Sequence, residues 1–355
     1  MGRAFRYIAK VYIKNFMILL LGLSLAVVFI DFLQHSNDLQ GGANQKILYI
    51  FYRWESFLLL IYPLVIIFAA IMTQMSMIRN NTLVALFSFG YSKRQLFRPL
   101  ISVATFIYAI FISLQFTPFA YSEDIAYSIL KKEQSQIEVQ ELFFKYNSSF
   151  VYVKELDPVH KVLYDTRIFV IRGGKVIKIV SFKRAYFANG YWVAPKASIK
   201  EHIYINGQIS GFRVYHKTNL ALLEGYEPKV IKLIYEGHSL KLDDAINAYI
   251  LLKSQGLDSS KVKATIYNKV VMPLFALAMV MILFFKIPVY QRFLRAEFTW
   301  ALALGSTLVG WGVLYALYRL STSGVVPPDF AQLPLVILLL IYGFWLFVKD
   351  GKNHK

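Results

Sequence analysis

The chain has 355 residues, of which 57% are hydrophobic and 17% are charged, and its formal net charge is +18. Soluble domains average about 45–50% apolar and about 25% charged residues, so this composition excludes a disordered chain and favours a membrane protein. Cysteine is absent, which excludes disulfide bonds, thiol catalysis and cysteine-ligated metals.

Six stretches without Asp, Glu, Lys or Arg predict six transmembrane helices. They cover residues 15–30, 56–78, 99–122, 270–285, 298–318 and 330–348. A spanning helix needs about 20 apolar residues, and the two shortest runs are flanked by Lys14 and Lys269, whose long side chains can reach the interface. The first run could instead be a signal peptide, but no small-x-small cleavage motif follows it.

Lysine and arginine are distributed unequally between the loops. The N-terminal segment, the second-to-third loop, the fourth-to-fifth loop and the C-terminal tail hold 14 of them, and the opposite short loops hold 3. Because basic residues are enriched in cytoplasmic loops, both termini are expected in the cytoplasm and the long central insertion is expected to be exported. Membrane orientation accounts for these basic residues, which argues against nucleic acid as a partner.

The central insertion carries β-rich runs separated by turn dipeptides. Gly173-Gly174, Asn189-Gly190 and Asn206-Gly207 are two-residue hairpin signals. Six or more short strands are expected, with runs at residues 150–154, 167–172, 175–182, 191–193, 203–205 and 211–215. This spacing favours a sandwich or a jellyroll.

A helical period follows the insertion from residue 240, and a second helix beginning near residue 258 leads into the fourth span. The sequence therefore predicts a membrane α-helical protein with an inserted β-jellyroll domain. Residues 1–122 hold transmembrane helices 1–3, residues 123–237 hold the jellyroll, and residues 238–355 hold an exported helix and transmembrane helices 4–6.

The sequence has no catalytic signature. It lacks the P-loop pattern, H-E-x-x-H and G-x-S-x-G, and its six histidines are scattered. The acidic pair Asp243-Asp244 is best explained by the first turn of a helix, where carboxylates are favoured. No catalytic residue, metal ligand or cofactor is therefore expected.

Residues 79–98 predict a short surface helix, at about residues 80–90, between the second and third spans. Its apolar residues share one helical face: Leu83, Leu86 and Phe87. Gly90 is placed to end this helix, and Ser92 with Gln95 forms a capping box that begins the next one. The helix either rests in the lipid headgroups or docks into the groove of a cytoplasmic partner.

This organisation resembles the lipopolysaccharide-export permeases of the LptF/LptG type over essentially the whole chain. The local matches are Phe-Val-Tyr-Val at residues 150–153, Lys-Thr-Asn-Leu at residues 217–220 and the segment 240–273. The last two segments resemble the LptG half more closely than the LptF half.

The resemblance implies a non-catalytic permease subunit of an ABC transporter in the bacterial inner membrane, with a periplasmic jellyroll. Its partners would be a second, LptF-like permease and a homodimeric cytoplasmic ATPase similar to LptB, which would hydrolyse the ATP. Lipopolysaccharide would pass to periplasmic jellyroll proteins similar to LptC and LptA.

The resemblance also implies the residues that meet the ATPase. They are Thr82, Leu83, Leu86, Phe87 and Gly90. The family usually has Ser-Glu-Leu where this chain has Asn81-Thr82-Leu83, so the acid that commonly contacts the ATPase is replaced by Thr82. Docking is still expected, but a salt bridge at this position is in doubt.

Five residues are candidates for contact with the lipid. Asp31, at the exported end of the first span, is either a solvated helix end or a contact for substrate or gate. Lys131 and Lys132 either meet lipid phosphates or form a solvated basic pair. Tyr152 and Phe212 are expected to line a slot for acyl chains, the alternative being a closed core.

Three other functions stay open. An exporter of this topology could carry a different envelope lipid, or could act without an ATPase, which copurification of an ABC ATPase would decide. A membrane enzyme that modifies envelope glycans would need aligned acids or a histidine cluster, and the sequence shows neither.

Overall fold

The computed structural model describes residues 2–39, 42–130, 139–146, 149–157, 160–173, 175–205, 208–226, 241–254, 258–289 and 295–350. The chain forms two compact units, one of Met1–Leu130 with Lys263–Lys355 and one of Lys131–Val262. The predicted boundaries at residues 122 and 237 differ from these, because helix Ser122–Leu130 packs on the first unit and helix Leu242–Ser254 on the sheet of the second.

The first unit is helical and contains the long apolar helices. Its N-terminal part comprises α1 (Arg3–His35), α2 (Ala43–Arg79), α3 (Thr82–Ser88), α4 (Lys93–Leu114), a 3₁₀ turn (Pro118–Tyr121) and α5 (Ser122–Leu130). After the second unit, which contains α6 (Leu242–Ser254), it continues with α7 (Ser260–Val270), α8 (Leu274–Lys286), α9 (Ala296–Thr322), α10 (Pro328–Ala331) and α11 (Leu333–Asp350).

Five stretches of helix are long and apolar enough to cross a membrane: Arg3–His35, Ala43–Arg79, Lys93–Leu114, Glu297–Thr322 and Pro328–Asp350. Helices α7 and α8, bent by 40° at a short break, make a sixth when they are counted as one span. The break falls at Pro273, which cannot donate a backbone hydrogen bond and so interrupts the helix. The described residues thus provide five to six candidate spans for the six that the sequence predicts, and the predicted fourth span corresponds to the bent pair.

The third span ends earlier than its uncharged run predicts. Helix α4 stops at Leu114, and the apolar run continues through the 3₁₀ turn that begins at Pro118. Thr117 precedes the proline in an extended conformation, and its hydroxyl accepts a hydrogen bond from the Phe119 backbone at 3.3 Å. The ring of a proline disfavours the helical conformation of the residue before it, here Thr117. This explains why α4 does not continue through the rest of the apolar run.

Helix α2 is the central helix of this unit, and hydrogen bonds between side chains and backbone tie α1 to it. The Tyr12 hydroxyl donates to the Ile66 carbonyl at 3.0 Å, and the Asn15 amide donates to the Thr73 hydroxyl at 2.9 Å. Interhelical hydrogen bonds of this kind hold apolar helices together where water is excluded.

The second unit contains a six-stranded antiparallel sheet whose strands follow one another in chain order. The strands are β1 (Val139–Tyr146), β2 (Ser149–Asp157), β3 (Val162–Arg172), β4 (Lys175–Ala188), β5 (Tyr191–Ile205) and β6 (Gln208–Leu222). One face of the sheet carries the core, which includes Val151, Val153, Ile168, Val180 and Ile199. The inserted antiparallel sheet agrees with the predicted jellyroll-like domain.

The strands differ from the predicted runs in two places. Strand β1 was not predicted, and residues 191–193 and 203–205 belong to one strand, β5, rather than to two. Pro195 breaks the sequence pattern, but it lies where the pairing of β5 with β4 is interrupted, between the pairs Phe182–Ala197 and Tyr186–Val193. The missing N–H of the proline therefore costs no hydrogen bond on that side.

Candidate functional site

The short helix α3 ends in the way that Gly90 predicts. Gly90 has a positive φ of 83°, which glycine adopts without steric cost, and its N–H donates to the Phe87 carbonyl at 2.9 Å. The N–H of Tyr91 donates to the Leu86 carbonyl at 3.2 Å. These two bonds form a Schellman motif, so the C-terminal end of α3 is firmly closed.

The next helix, α4, begins with the predicted capping box. The Ser92 hydroxyl accepts a hydrogen bond from the Gln95 backbone at 3.3 Å, and the Gln95 side chain accepts one from the Ser92 backbone at 2.8 Å. Only residues 89–92 separate α3 from α4, and both sides of this connection are closed by hydrogen bonds. We call residues 89–92 the elbow.

The apolar face of α3 packs on the protein itself. Leu83 is 2% exposed and lies in the core of the helical unit, and Leu86 and Phe87 are partly buried against that core. Leu83 therefore anchors α3 to the helical unit, and its expected role in meeting the ATPase stays a prediction. The large exposed side chain is instead Phe89, which follows the last residue of α3 and is 79% exposed. Thr82 is the first residue of α3 and is half-buried.

Lys93, the first residue of α4, holds the C-terminal end of α8. Its Nζ donates to the Phe285 carbonyl at 3.0 Å and lies 5.5 Å from the centroid of the Phe285 ring. The neighbouring Phe284 carbonyl accepts a hydrogen bond from Gln74 Nε2 of α2 at 3.1 Å. The last carbonyls of a helix have no partner within it, so these two side chains satisfy groups that would otherwise be unpaired.

Arg94 holds the C-terminal end of α11 in the same manner. Its Nε donates to the Phe347 carbonyl at 2.8 Å, and its Nη2 donates to the Val348 carbonyl at 2.6 Å. The guanidinium also lies 4.8 Å from the centroid of the Phe347 ring. A cation at a helix C-terminus is stabilised by the helix dipole as well as by these hydrogen bonds.

An aromatic cluster lies one turn further along α4. The Phe97 ring is 5.2 Å from the Phe284 ring, 5.2 Å from the Phe285 ring and 6.1 Å from the Phe347 ring, measured between centroids. Phe97 and Phe284 are buried in the core that also holds Leu83. The beginning of α4 thus contacts α8 and α11 through both charged and aromatic side chains.

A buried ion pair marks the opposite end of α1. The Asp31 carboxylate accepts hydrogen bonds from the Tyr49 hydroxyl at 2.6 Å and from Arg53 Nε at 3.0 Å and Nη2 at 2.7 Å. His35 Nδ1 lies 3.8 Å from the same carboxylate. Asp31 is 7% exposed, so the alternative of a solvated helix end was wrong. A carboxylate at this position is held by partners from α2, which stabilise its charge.

With the geometry described, comparison with known proteins decides the family. The sequence profile described as "Lipopolysaccharide export system permease LptF/LptG" matches residues 6–349. The chain belongs to this family. The profile does not distinguish the LptF half from the LptG half, and no individually curated protein matches the chain. The predicted recognition of a lipopolysaccharide-export permease is thereby confirmed at the level of the family.

Two of the predicted lipid contacts of this permease, Tyr152 and Phe212, lie on different strands of the sheet. Lys131 and Lys132 lie outside the described residues. Phe212 is 61% exposed on β6, and Tyr152 is half-buried on β2. The register pairs Tyr152 with Arg167, and pairs Phe212 with His202.

The sheet face that carries Tyr152 and Phe212 lies opposite the core. The register links Phe150 through Phe169, Ile179 and Lys200 to Val214, and paired residues share a face. Val151 and Val153, which flank Tyr152, are buried on the other face. Phe212 lies on the exposed face, with Lys200 Nζ 4.0 Å from the centroid of its ring, whereas the core residues fill the other face. The slot for acyl chains stays a prediction.

Sequence reasoning missed the residues with the most specific contacts. Lys93 and Arg94 were counted only as orientation signals, and Arg53 only as one of the few basic residues on the opposite side. Their carbonyl and carboxylate partners lie far away in the sequence, so no local pattern reveals them.

Proposed function

We propose that this permease is the membrane subunit of an ABC transporter that extracts lipopolysaccharide from the inner membrane and passes it to a periplasmic bridge. Its family supports a role in lipopolysaccharide export as a non-catalytic permease. ATP is hydrolysed by a separate cytoplasmic chain similar to LptB. The resemblance of residues 217–220 and 240–273 favours the LptG half, with an LptF-like permease as partner.

The observation that carries this proposal is the anchored surface helix with its exposed aromatic tip. Leu83 fixes α3 to the bundle, and Phe89 projects from its C-terminal end. Large aromatic side chains exposed at a rigid site are typical anchors for a partner's pocket. If α3 were instead an interfacial helix, Phe89 would lie among the lipid headgroups. Substitution of Phe89 distinguishes the two, because it should release the ATPase only if α3 is the docking helix.

The unequal distribution of basic residues supports the orientation of the permease. The side with 14 basic residues includes α3, the elbow and both termini, and it faces the cytoplasm in this proposal. The six-stranded sheet then lies in the periplasm, where LptC-like and LptA-like jellyroll proteins would receive the lipid.

The energetics of the cargo support a covered route. Exposing an acyl chain of about 12 methylenes to water costs about 10 kcal/mol, at about 0.8 kcal/mol for each CH₂. Helices α1 and α9 present unpaired apolar faces, with exposed side chains that include Met17, Phe29, Leu302 and Val309. In this proposal these faces form a cavity with the partner permease, and the exposed sheet face around Phe212 continues the route.

The experiment that tests the proposal is purification of the tagged chain from its native membrane in mild detergent, followed by mass spectrometry. An ABC ATPase, a second permease of this family and lipopolysaccharide should copurify with the chain. Recovery of a different envelope lipid would correct the cargo, and recovery of the chain without any ATPase would contradict the proposal.

A further inference from the structure

The elbow connects α3 to the first turn of α4 and is closed by hydrogen bonds on both sides. The Schellman bonds of Gly90 and Tyr91 close one side of it, and the capping box of Ser92 and Gln95 closes the other. A connection of residues 89–92 with both ends hydrogen-bonded has little freedom to bend. A force on α3 therefore reaches Lys93 and Arg94, which are the first two residues of α4.

Lys93 and Arg94 hold two helices that are distant in sequence from α3. Lys93 binds the end of α8 through the Phe285 carbonyl, and Arg94 binds the end of α11 through the Phe347 and Val348 carbonyls. These are charge-assisted hydrogen bonds to carbonyls that lack a partner in their own helix. The two cations thus connect α3 to the C-terminal half of the bundle.

Helices α8 and α11 pack closely against each other at Gly343. A Cβ placed on Gly343 of α11 would lie 3.1 Å from Met281 Sδ, 3.2 Å from Met281 Cβ and 3.4 Å from the Ala278 carbonyl of α8. A pull on the end of either helix is therefore shared with the other, because closely packed elements move together. Contiguous contacts of this kind can couple two distant sites energetically. Mutations that disrupt the contacts test whether they do.

We propose that Lys93 and Arg94 are positioning residues that couple the movement of docking helix α3 to helices α8 and α11 during transport. This inference rests on the proposed function, since the ATPase supplies the movement of α3. Neither residue touches ATP or lipid in this account. They act by holding helix ends that would otherwise move independently of α3.

The alternative is that Lys93 and Arg94 serve only to orient the chain in the membrane. Arg98 provides a matched control for this alternative. It lies one turn beyond Arg94 on the same helix and is exposed, and within the described part of the chain it makes no hydrogen bond or ion pair. Arg94→Gln and Arg98→Gln remove the same charge from the same side. Only Arg94→Gln removes contacts with α11.

The first measurement uses the permease alone and does not depend on its ATPase. Spin labels are placed on Ser88→Cys in α3 and Lys349→Cys in α11, which is possible because the chain has no native cysteine. Both positions are exposed. The distribution of interspin distances should be narrow in the parent and in Arg98→Gln, and broader in Arg94→Gln. Equal distributions in all three chains would overturn the structural part of the inference.

The second measurement uses the complete transporter in vesicles that contain lipopolysaccharide. We expect Arg94→Gln to retain the ATPase and its ATP hydrolysis but to export about tenfold less lipid per ATP, within the usual range of coupling between linked sites. Arg94→Lys, which keeps the charge and one donor, should be intermediate, and Lys93→Met should also uncouple. Export per ATP equal to that of Arg98→Gln would overturn the inference.

The two measurements separate this inference from the proposed function. If no ATPase binds even the parent chain, the proposed function fails, while the spin-label distances still report whether Arg94 links α3 to α11. If Arg94→Gln does not fold, Arg94→Lys and Lys93→Met supply the comparison. Loss of the ATPase itself from Arg94→Lys would show that the residue acts in docking and would overturn its role in coupling.

Discussion

Asp31 and Arg53 form a bidentate ion pair that joins the end of α1 to α2. Both carboxylate oxygens are used, with Arg53 Nη2 2.7 Å from Oδ1 and Arg53 Nε 3.0 Å from Oδ2. The Tyr49 hydroxyl donates a further hydrogen bond at 2.6 Å. Because Arg53 offsets the charge of Asp31, this end of α1 is nearly neutral and is fixed to α2. In the proposed transporter, that fixes one wall of the lipid cavity.

Breaking this ion pair should destabilise the permease. Asp31→Asn leaves the Arg53 cation partly buried without its counter-charge, and we expect a loss of about 2 kcal/mol in unfolding free energy, below the usual 3–5 kcal/mol because Arg53 is partly exposed. Thermal unfolding in detergent measures the change. The double variant Asp31→Asn with Arg53→Gln removes both charges and should recover much of the loss. A double variant less stable than either single variant would contradict this account of the pair.

Phe89 should contribute to ATPase binding without contributing to the fold. Burial of such a side chain is worth about 1.5–3 kcal/mol, so Phe89→Asp should weaken the binding of the ATPase tenfold or more. Its melting temperature should stay that of the parent, because the side chain is exposed. Phe330→Asp, an equally exposed phenylalanine in α10, is the control and should retain the ATPase. Equal retention by both variants would remove Phe89 from the docking surface.

Single cysteines should establish the orientation of the chain. Asn189 lies in the turn between β4 and β5, and Ser88 lies at the end of α3, and both are exposed. We expect an impermeant thiol reagent to label Asn189→Cys from the periplasmic side of intact cells and to label Ser88→Cys only after the inner membrane is opened. The reverse pattern would invert the topology.

The exposed sheet face should meet lipid during transport. A photo-crosslinking residue at Phe212 or Tyr152 should capture lipopolysaccharide only when ATP is supplied, because these positions lie opposite the core. Val153 is buried and should capture none, while Arg213 tests the other face of β6. Capture at Arg213 alone would move the lipid route to that face. If all four positions fail while the transporter turns over, the domain serves only as a docking platform.

The sequence predicted features that depend on local patterns. Uncharged runs located the candidate spans, Gly90 located the end of α3, and the Ser92–Gln95 pair located the start of α4. The dipeptide Asn189-Gly190 likewise marked the turn between β4 and β5. In each case the signal and the structure lie within a few residues, so backbone preferences decide the outcome.

Features that depend on distant residues could not be predicted in this way. Asp31 was expected either as a solvated helix end or as a contact for substrate or gate, because charge counting ignores Arg53, which the loop between α1 and α2 brings back beside it. The partner of Arg94 is the end of α11, 253 and 254 positions later in the chain. Helical periodicity placed Leu83 on the apolar face of α3, but periodicity shows only which residues share a face, not what that face packs against.

The most direct test of the central claim is lipid export by the purified transporter. The permease, its copurifying ATPase and its partner permease are placed in vesicles that contain lipopolysaccharide, and the lipid transferred to a soluble periplasmic acceptor is measured with and without ATP. The account predicts transfer that requires ATP hydrolysis and is lost when Phe89→Asp replaces the parent chain. Transfer at the same rate without ATP, or no transfer by a complex that hydrolyses ATP, would contradict it.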